Sequence, residues 1–410
     1  MVASALAPRV WWSIMQCSNS RLDEGFRCNR WCKTWSGPTG LVALGLAVAR
    51  PMTFPAVALY PTDTTNPYVG MIRDGLVRAG YRVHSWNLYR ANPVAIAALH
   101  LHWLEGVAMG RLARRSLLVT HLLFWKLERD LRRIRRRGGR IVWTAHNAQP
   151  HEHGTSRRAR LVARWVDRIV AQVDTAISLS RAAIPLVRQN HATLRAPIAV
   201  IPHQNYRGHY PPGDRARGRH RFGLPVDARV IAMIGLVRPY KNVEQAIALF
   251  ATLEDERTWL LVAGDCFDAG LEAQIKELAA RTPRVAVYLG HLPDGDFADA
   301  HAAADLVLSM QQALLNSGSV MAALSLGRPV LASPAGSLPE LAEHVGDHWL
   351  ALRAPLGVAD IRAALDRGIP AGEPDLSHCD VGTIITRHLD VYGGNSGAGG
   401  AWGRGADDGR

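Results

Sequence analysis

An arginine and a lysine stand three residues apart in the segment Gly235-Leu236-Val237-Arg238-Pro239-Tyr240-Lys241-Asn242. Two cations at that spacing, beside a glycine that lets the backbone turn, suit a ligand with two adjacent negative charges, such as a diphosphate. The segment follows the apolar run 229–234, which predicts a buried strand. It precedes 242–253, where Val243, Ala246, Ile247 and Phe250 recur at helical spacing. The cations therefore sit where a helix opens and its free N–H groups add to their field. A basic strand–helix loop without any ligand gives the same pattern, so the segment is a candidate clamp rather than a proven one.

Four further polar clusters fall at expected strand ends. Asn316-Ser317-Gly318-Ser319 opens a helix over 317–326, and small polar residues there leave backbone N–H groups available to an anion. Asn66-Pro67-Tyr68 follows the first convincing strand. Along 99–103, strand alternation places His100 and His102 on one face, with Trp103 and Glu105 at and beyond the end. His146-Asn147, with His151, Glu152 and His153 close behind, follows a fourth strand. The HxH and HEH pairs invite a metal, but HEH lacks the helical HExxH spacing. Lining of a cleft is the expected role, with no metal bound.

Positioning these clusters requires alternating strands and helices. The first half predicts strands at 54–60, 81–86, 99–103, 140–145, 168–171, 174–178 and 197–201, with helices at 68–79, 111–137, 156–166 and 180–190. The second half predicts strands at 229–234, 258–263, 284–288, 305–309 and 329–332, separated by helices. Such alternation implies parallel sheets covered on both faces, and ligands at the carboxyl ends of the strands. The expected fold class is α/β, with two doubly wound Rossmann-like domains facing across a cleft. Expected bounds are 1–51 for an extension outside the fold, 52–210 for the first domain and 211–221 for a linker rich in Pro, Gly, His and Arg. The second domain then covers 222–392, and 393–410 is a Gly-rich disordered tail.

Composition narrows the classes. Residues 111–221 hold 24 Lys/Arg against 6 Asp/Glu, whereas 222–391 hold 12 against 22, so the net charge of +13 resides in the first half. That asymmetry points to an anionic surface or nucleic acid. Reader motifs and interleaved aromatics are missing, and no nucleic-acid partner is expected. Five cysteines without CxxC pairs suggest a reducing compartment. No apolar run long enough to span a bilayer occurs. Neither GxGxxG nor GxxxxGK[ST] is present, which argues against a nicotinamide enzyme or a P-loop NTPase.

From about Met52 to Arg353 the chain resembles GT-B glycosyltransferases, and more narrowly the GDP-mannose:glycolipid β-1,4-mannosyltransferases of xanthan-type exopolysaccharide assembly. The stretches that carry this are Asn66-Pro67-Tyr68, His100-Leu101-His102-Trp103 with Glu105, His146-Asn147 with His151-Glu152, Gly235 to Lys241, Asn316 to Ser319 and Pro329-Val330-Leu331-Ala332. The resemblance implies a nucleotide-sugar co-substrate and no other cofactor. Its donor diphosphate would be held by Gly235, Arg238, Lys241, Asn316, Ser317, Gly318 and Ser319. Asn66, Tyr68, His102, Trp103, Asn147, His151 and Glu152 would meet a polyprenyl-diphosphate-linked acceptor. Retaining relatives carry two glutamates that fall near Leu314 and Ala322 here, and their absence suits an inverting enzyme or an inactive homologue. For inversion the candidate bases are Glu105 and His146, with Glu152 behind them and Asp63 further off. A UDP-sugar donor with another acceptor is the alternative enzyme reading.

The basic segment 111–137 bears one apolar stripe, Phe124, Leu127, Leu131 and Ile134, among many arginines. It is expected to lie on an anionic membrane, which would place the protein in the cytoplasm at the inner face of the cell membrane. A core-packed helix with a solvated charged face is the competing reading.

Overall fold

The computed structural model describes residues 55–62, 67–146, 156–311 and 315–394. Asp63, Asn66, Asn147, His151, Glu152 and Leu314, together with the extension 1–51, lie outside the described residues. So does the expected tail, apart from Gly393 and Gly394.

The first half runs β1 (Ala56–Tyr60), α1 (Pro67–Arg78), β2 (Arg82–Ser85), β3 (Ala98–Leu101), α2 (Arg111–Arg115), α3 (Leu117–Arg135), β4 (Arg140–Ala145), α4 (Arg157–Val170), β5 (Thr175–Ser178), α5 (Ile184–Asn190) and β6 (Ile198–Val200). Its strands are parallel, in the order β2-β1-β3-β4-β5-β6. The strands β1, β3 and β5 are buried at every position, as expected for a parallel sheet covered on both faces. The chain order changes direction between β1 and β3, so the crevice of this sheet opens beyond their carboxyl ends. Tyr68, His102 and Trp103 start from those ends.

The second half runs α6 (Arg215–Arg221), β7 (Arg229–Ile234), α7 (Val243–Ala251), β8 (Thr258–Ala263), α8 (Ala269–Arg281), β9 (Val285–Tyr288), α9 (Asp294–Ala303), β10 (Leu306–Ser309), α10 (Gly318–Ser325), β11 (Val330–Ala332), α11 (Leu338–Val345), β12 (Leu350–Leu352), α12 (Val358–Arg367) and α13 (Val381–Gly393). The sheet order is β12-β11-β10-β7-β8-β9, again parallel. Its switch point lies between β7 and β10, where the loops carrying Gly235–Asn242 and Asn316–Ser319 emerge.

Four expectations need correction. The strand at 168–171 is the last turn of α4, because Val162, Trp165, Val166, Ile169 and Val170 follow helical spacing and are buried together. The segment 111–137 is two helices, broken at Ser116, whose extended backbone and hydroxyl cap α3 by accepting from Val119 N at 3.3 Å. The linker 211–221 holds α6, which packs against α9; a Cβ on Gly218 would lie 2.1 Å from the Asp299 carbonyl oxygen. Arg217 pairs with the Asp299 carboxylate at the same contact. Finally, α13 belongs to the first half's core. Ile384, Ile385 and Tyr392 pack with Val57, Ile72, Leu76 and Val142 on one face of the first sheet.

Candidate active site

On the second half, β7 ends at Ile234 and Gly235 turns the chain at φ 104°, a conformation open to glycine. Gly264, at the end of β8, touches it: a Cβ there would lie 2.1 Å from the Gly235 carbonyl oxygen. After the 3₁₀ turn Pro239–Lys241, Asn242 adopts the left-handed region and donates through Nδ2 to the Met310 carbonyl at 2.9 Å. That bond ties the clamp loop to the end of β10. Lys241 Nζ then lies 3.4 Å from Ser319 Oγ, and Ser319 Oγ lies 3.2 Å from Ser317 Oγ. Ser317 caps α10 by accepting from Val320 N at 3.3 Å.

A cleft of ≈ 370 Å³, open to solvent, runs along Gly235, Leu236, Lys241, Ser309, Gln311 and Ser319. Burial lowers the Lys241 ammonium to about 8, so it still carries its charge at neutral pH. Arg238 stands outside this lining, its guanidinium 5.3 Å from the centre of the Phe267 ring. The candidate clamp in this arrangement is Lys241 with the α10 N-terminus, and Arg238 flanks it.

On the first half, His102 and Trp103 leave β3, and Glu105 sits in the first turn of the 3₁₀ segment Leu104–Ala108. His146 follows β4. The His146 ring stacks on Trp103 at 4.1 Å and meets Tyr68 edge-on at 4.9 Å. His102, Trp103, Glu105, His146 and His191 line one cavity of ≈ 330 Å³. Both candidate bases therefore open onto the same space.

Behind this lining the histidines form a connected buried set. His102 Nδ1 and His146 Nε2 are 3.0 Å apart. His100 reaches Thr144 Oγ1 and Tyr392 OH, each at 2.7 Å, and its ring centre lies 4.1 Å from that of His102, the planes tilted by 38°. Burial lowers the pKa of His100, His102 and His146, and their mutual repulsion lowers those of His100 and His146 further; His102 falls to about 3. All three are neutral at physiological pH. His102 Nε2 is buried without a hydrogen-bond partner among the described residues. The less costly tautomer leaves that nitrogen without a proton, so His102 Nδ1–H donates to His146 Nε2. His146 Nδ1 then carries the remaining proton and acts as a donor.

Several contacts join the halves. Asn316 Nδ2 donates to the His146 carbonyl at 3.3 Å, so Asn316 faces the opposite half. Glu340, in α11, accepts from the backbone N–H of Arg181 at 3.1 Å and of Ala182 at 2.6 Å. A Cβ on Gly318 would lie 3.3 Å from Tyr206 OH and 3.8 Å from His203 Nε2. His203 and Tyr206, on the crossover between halves, and His191 were not among the expected site residues. Their sequence signal is weak: a histidine in a linker, and another closing a helix. Ala322, at one retaining-glutamate position, is buried in the core of the second half. Among the described residues no group of three or more His, Cys, Asp or Glu is placed to hold a metal ion.

Two parallel doubly wound sheets, with a loop suited to phosphate on one and a polar pocket on the other, make up the GT-B fold, and this chain has that fold. Residues 214–352 match the family of glycosyl transferases group 1. The chain is similar to the GDP-mannose:glycolipid 4-beta-D-mannosyltransferase of Xanthomonas campestris, with 29% identity over 343 residues, covering 81% of this chain and 89% of that one. A 2-deoxystreptamine glucosyltransferase of Streptomyces kanamyceticus is 30% identical over 231 residues, 54% of this chain and 57% of its own. Among solved structures, Anabaena HepE in complex with UDP-glucose aligns at TM-score 0.59 and 16% identity, over 83% of this chain and 99% of that one. WaaG, a glycosyltransferase involved in lipopolysaccharide biosynthesis, aligns at 0.52 and 17%, over 85% and 100%. These two likenesses concern the fold.

Proposed function

We propose that the protein is an inverting mannosyltransferase that moves mannose from GDP-mannose to a polyprenyl-diphosphate-linked oligosaccharide in exopolysaccharide assembly. The observation that carries the reading is the pairing of Lys241 and the α10 N-terminus on one side with the Glu105–His146 pocket on the other. Similarity to the Xanthomonas glycolipid enzyme over most of both chains favours this donor and this acceptor class.

In this reading the donor diphosphate rests against Lys241, Ser317, Gly318 and Ser319, with Gly235 giving room below it. The ammonium and the helix N-terminus supply the positive potential that develops its effect as the glycosidic C–O bond breaks. No divalent metal is required for that role. An acceptor hydroxyl attacks the anomeric carbon from the opposite face, and its proton passes to Glu105. His146, presenting an N–H, cannot take the proton in its favoured tautomer and instead orients the acceptor sugar. Trp103 and the buried Tyr68 pack on the His146 imidazole and hold it in place. The enzyme works at the cytoplasmic face of the membrane, where such an acceptor is available.

The test is transfer from radiolabelled GDP-mannose to a lipid-linked acceptor extract, with and without EDTA. Glu105→Gln is expected to lower kcat by about 100- to 10,000-fold, the usual range for a lost general base. His146→Gln should mainly raise the acceptor KM. Full turnover by Glu105→Gln would reject Glu105 as the base, and transfer from UDP-sugars alone would reject the donor.

A further inference from the structure

The apolar stripe expected to meet lipid is not available to it: Phe124, Leu127, Leu131 and Ile134 are all at most 1% exposed and face the first sheet. The opposite side of α3 carries a different row. Leu118 is 67% exposed, Leu122 51% and Trp125 45%, at spacings of four and three residues that hold them on one face. Continuing along that face come Arg129, Arg132, Arg133 and Arg136. The same face is thus apolar in its first half and cationic in its second.

The adjoining helix α2 extends the apolar end. Leu112 is 56% exposed, and Arg111, Arg114 and Arg115 are exposed beside it. Arg158 fastens α2 in place, donating to the Ala113 carbonyl at 2.6 Å and the Arg114 carbonyl at 2.9 Å. Around the middle of α3, Lys126, Arg129, Arg132, Arg133 and Arg168 share two carboxylates among the described residues, Glu128 and Asp130, so the surface remains positive. This patch also lies next to the acceptor pocket in the chain. The 3₁₀ segment Leu104–Ala108, which carries Glu105, leads into α2 through Met109, 42% exposed, and Gly110.

We infer that the α2–α3 surface, led by Leu112, Leu118, Leu122 and Trp125 and followed by the arginine row, docks on an anionic lipid bilayer. The inference rests on the lipid-linked acceptor of the proposed function and assigns the face by which the enzyme reaches it. The apolar end enters the headgroup–acyl boundary and the arginines of both helices meet lipid phosphates. Charge selects this occupant, since a patch with cations in excess of carboxylates around exposed leucines matches anionic lipid on both counts. The acceptor's sugar then enters beside Glu105 while its polyprenyl chain stays in the membrane.

Co-sedimentation of the full chain with phosphatidylcholine vesicles, with and without phosphatidylglycerol, tests this. Wild type is expected to bind the anionic vesicles selectively. The triple variant Leu118→Gln, Leu122→Gln, Trp125→Gln should lose more than about 100-fold in partitioning. Arg111→Ser, Arg114→Ser, Arg115→Ser should lose on the order of 100-fold on anionic vesicles alone. Both variants should keep wild-type thermal shifts with GDP and wild-type transfer to a water-soluble acceptor lacking the lipid. Equal vesicle binding by wild type and the apolar variant would overturn the assignment of this face. Wild-type indifference to phosphatidylglycerol, or a dimer in solution that the apolar variant dissociates, would overturn the membrane as its occupant. Loss of GDP binding by wild type itself would instead count against the proposed function.

Discussion

Replacing Lys241 by methionine should make the empty protein more stable and the donor site nearly useless. The ammonium is held in a half-buried site, 3.4 Å from the neutral Ser319 hydroxyl. Burial lowers its pKa from 10.5 to about 8. That difference corresponds to about 3 kcal/mol between charged and neutral forms. Residual solvent contact reduces the usable figure to about 1–2 kcal/mol. The sign follows from proton counting. Between about pH 8 and 10.5 the unfolded chain binds more protons at this site than the folded one, so stability rises with pH. Below about 8 the folded protein carries the full cost of the buried charge. Lys241→Met removes that cost, raising the melting temperature at pH 7 by about 2–6 °C. By about pH 9.5 the gain should fall to less than half. A bound diphosphate reverses the balance, because losing one partner of a desolvated ion pair costs about 2–4 kcal/mol, or about 30- to 1,000-fold in Kd. Differential scanning fluorimetry across pH and calorimetry with GDP and pyrophosphate measure both sides. A variant less stable than wild type at pH 7, or one that binds pyrophosphate normally, would refute the reasoning.

Three other perturbations probe the frame around the site. Gly264→Ala places a methyl group 2.1 Å from the Gly235 carbonyl at φ 145°, so it should destabilise by more than about 3 kcal/mol and abolish GDP binding, read by urea melts and thermal shift. Tyr392→Phe leaves His100 Nδ1 without its hydroxyl partner inside the core, and a loss of about 1–3 kcal/mol is expected by chemical denaturation. Glu340→Ala removes the acceptor of two backbone N–H groups across the cleft. It should raise donor and acceptor KM together, with solution scattering reporting a more open form; unchanged scattering and kinetics would reject a bridging role.

Much of this frame could be read from residue order. Buried parallel strands announce themselves as short apolar runs, so the strand ends that carry His102, Glu105, His146, Gly235 and Ser317 are legible in the sequence. Sequence and structure part where one periodicity serves two outcomes. The run Arg168-Ile169-Val170 has strand composition, yet packing of Trp165 and Val166 decides for helix. Apolar residues on α3 occupy two opposite faces, and only the sheet beneath determines which is core. Contacts between distant segments were not legible at all: the bond of His100 to Tyr392 spans 292 residues, and His203 reaches Gly318 only because the crossover passes beneath the donor loop.

The return of α13 to the first sheet has a consequence for how the chain can be assembled and dissected. Helices α1 and α13 share the face built from Val57, Ile72 and Leu76, although the entire second half separates them along the chain. During synthesis the amino-terminal sheet must wait, one apolar flank uncovered, until the ribosome has made the other half. A fragment ending near residue 210 would expose that flank permanently, so expressing the acceptor side alone should give aggregation. Grafting residues 377–394 back onto such a fragment, in trans or by circular permutation, should restore a soluble fold.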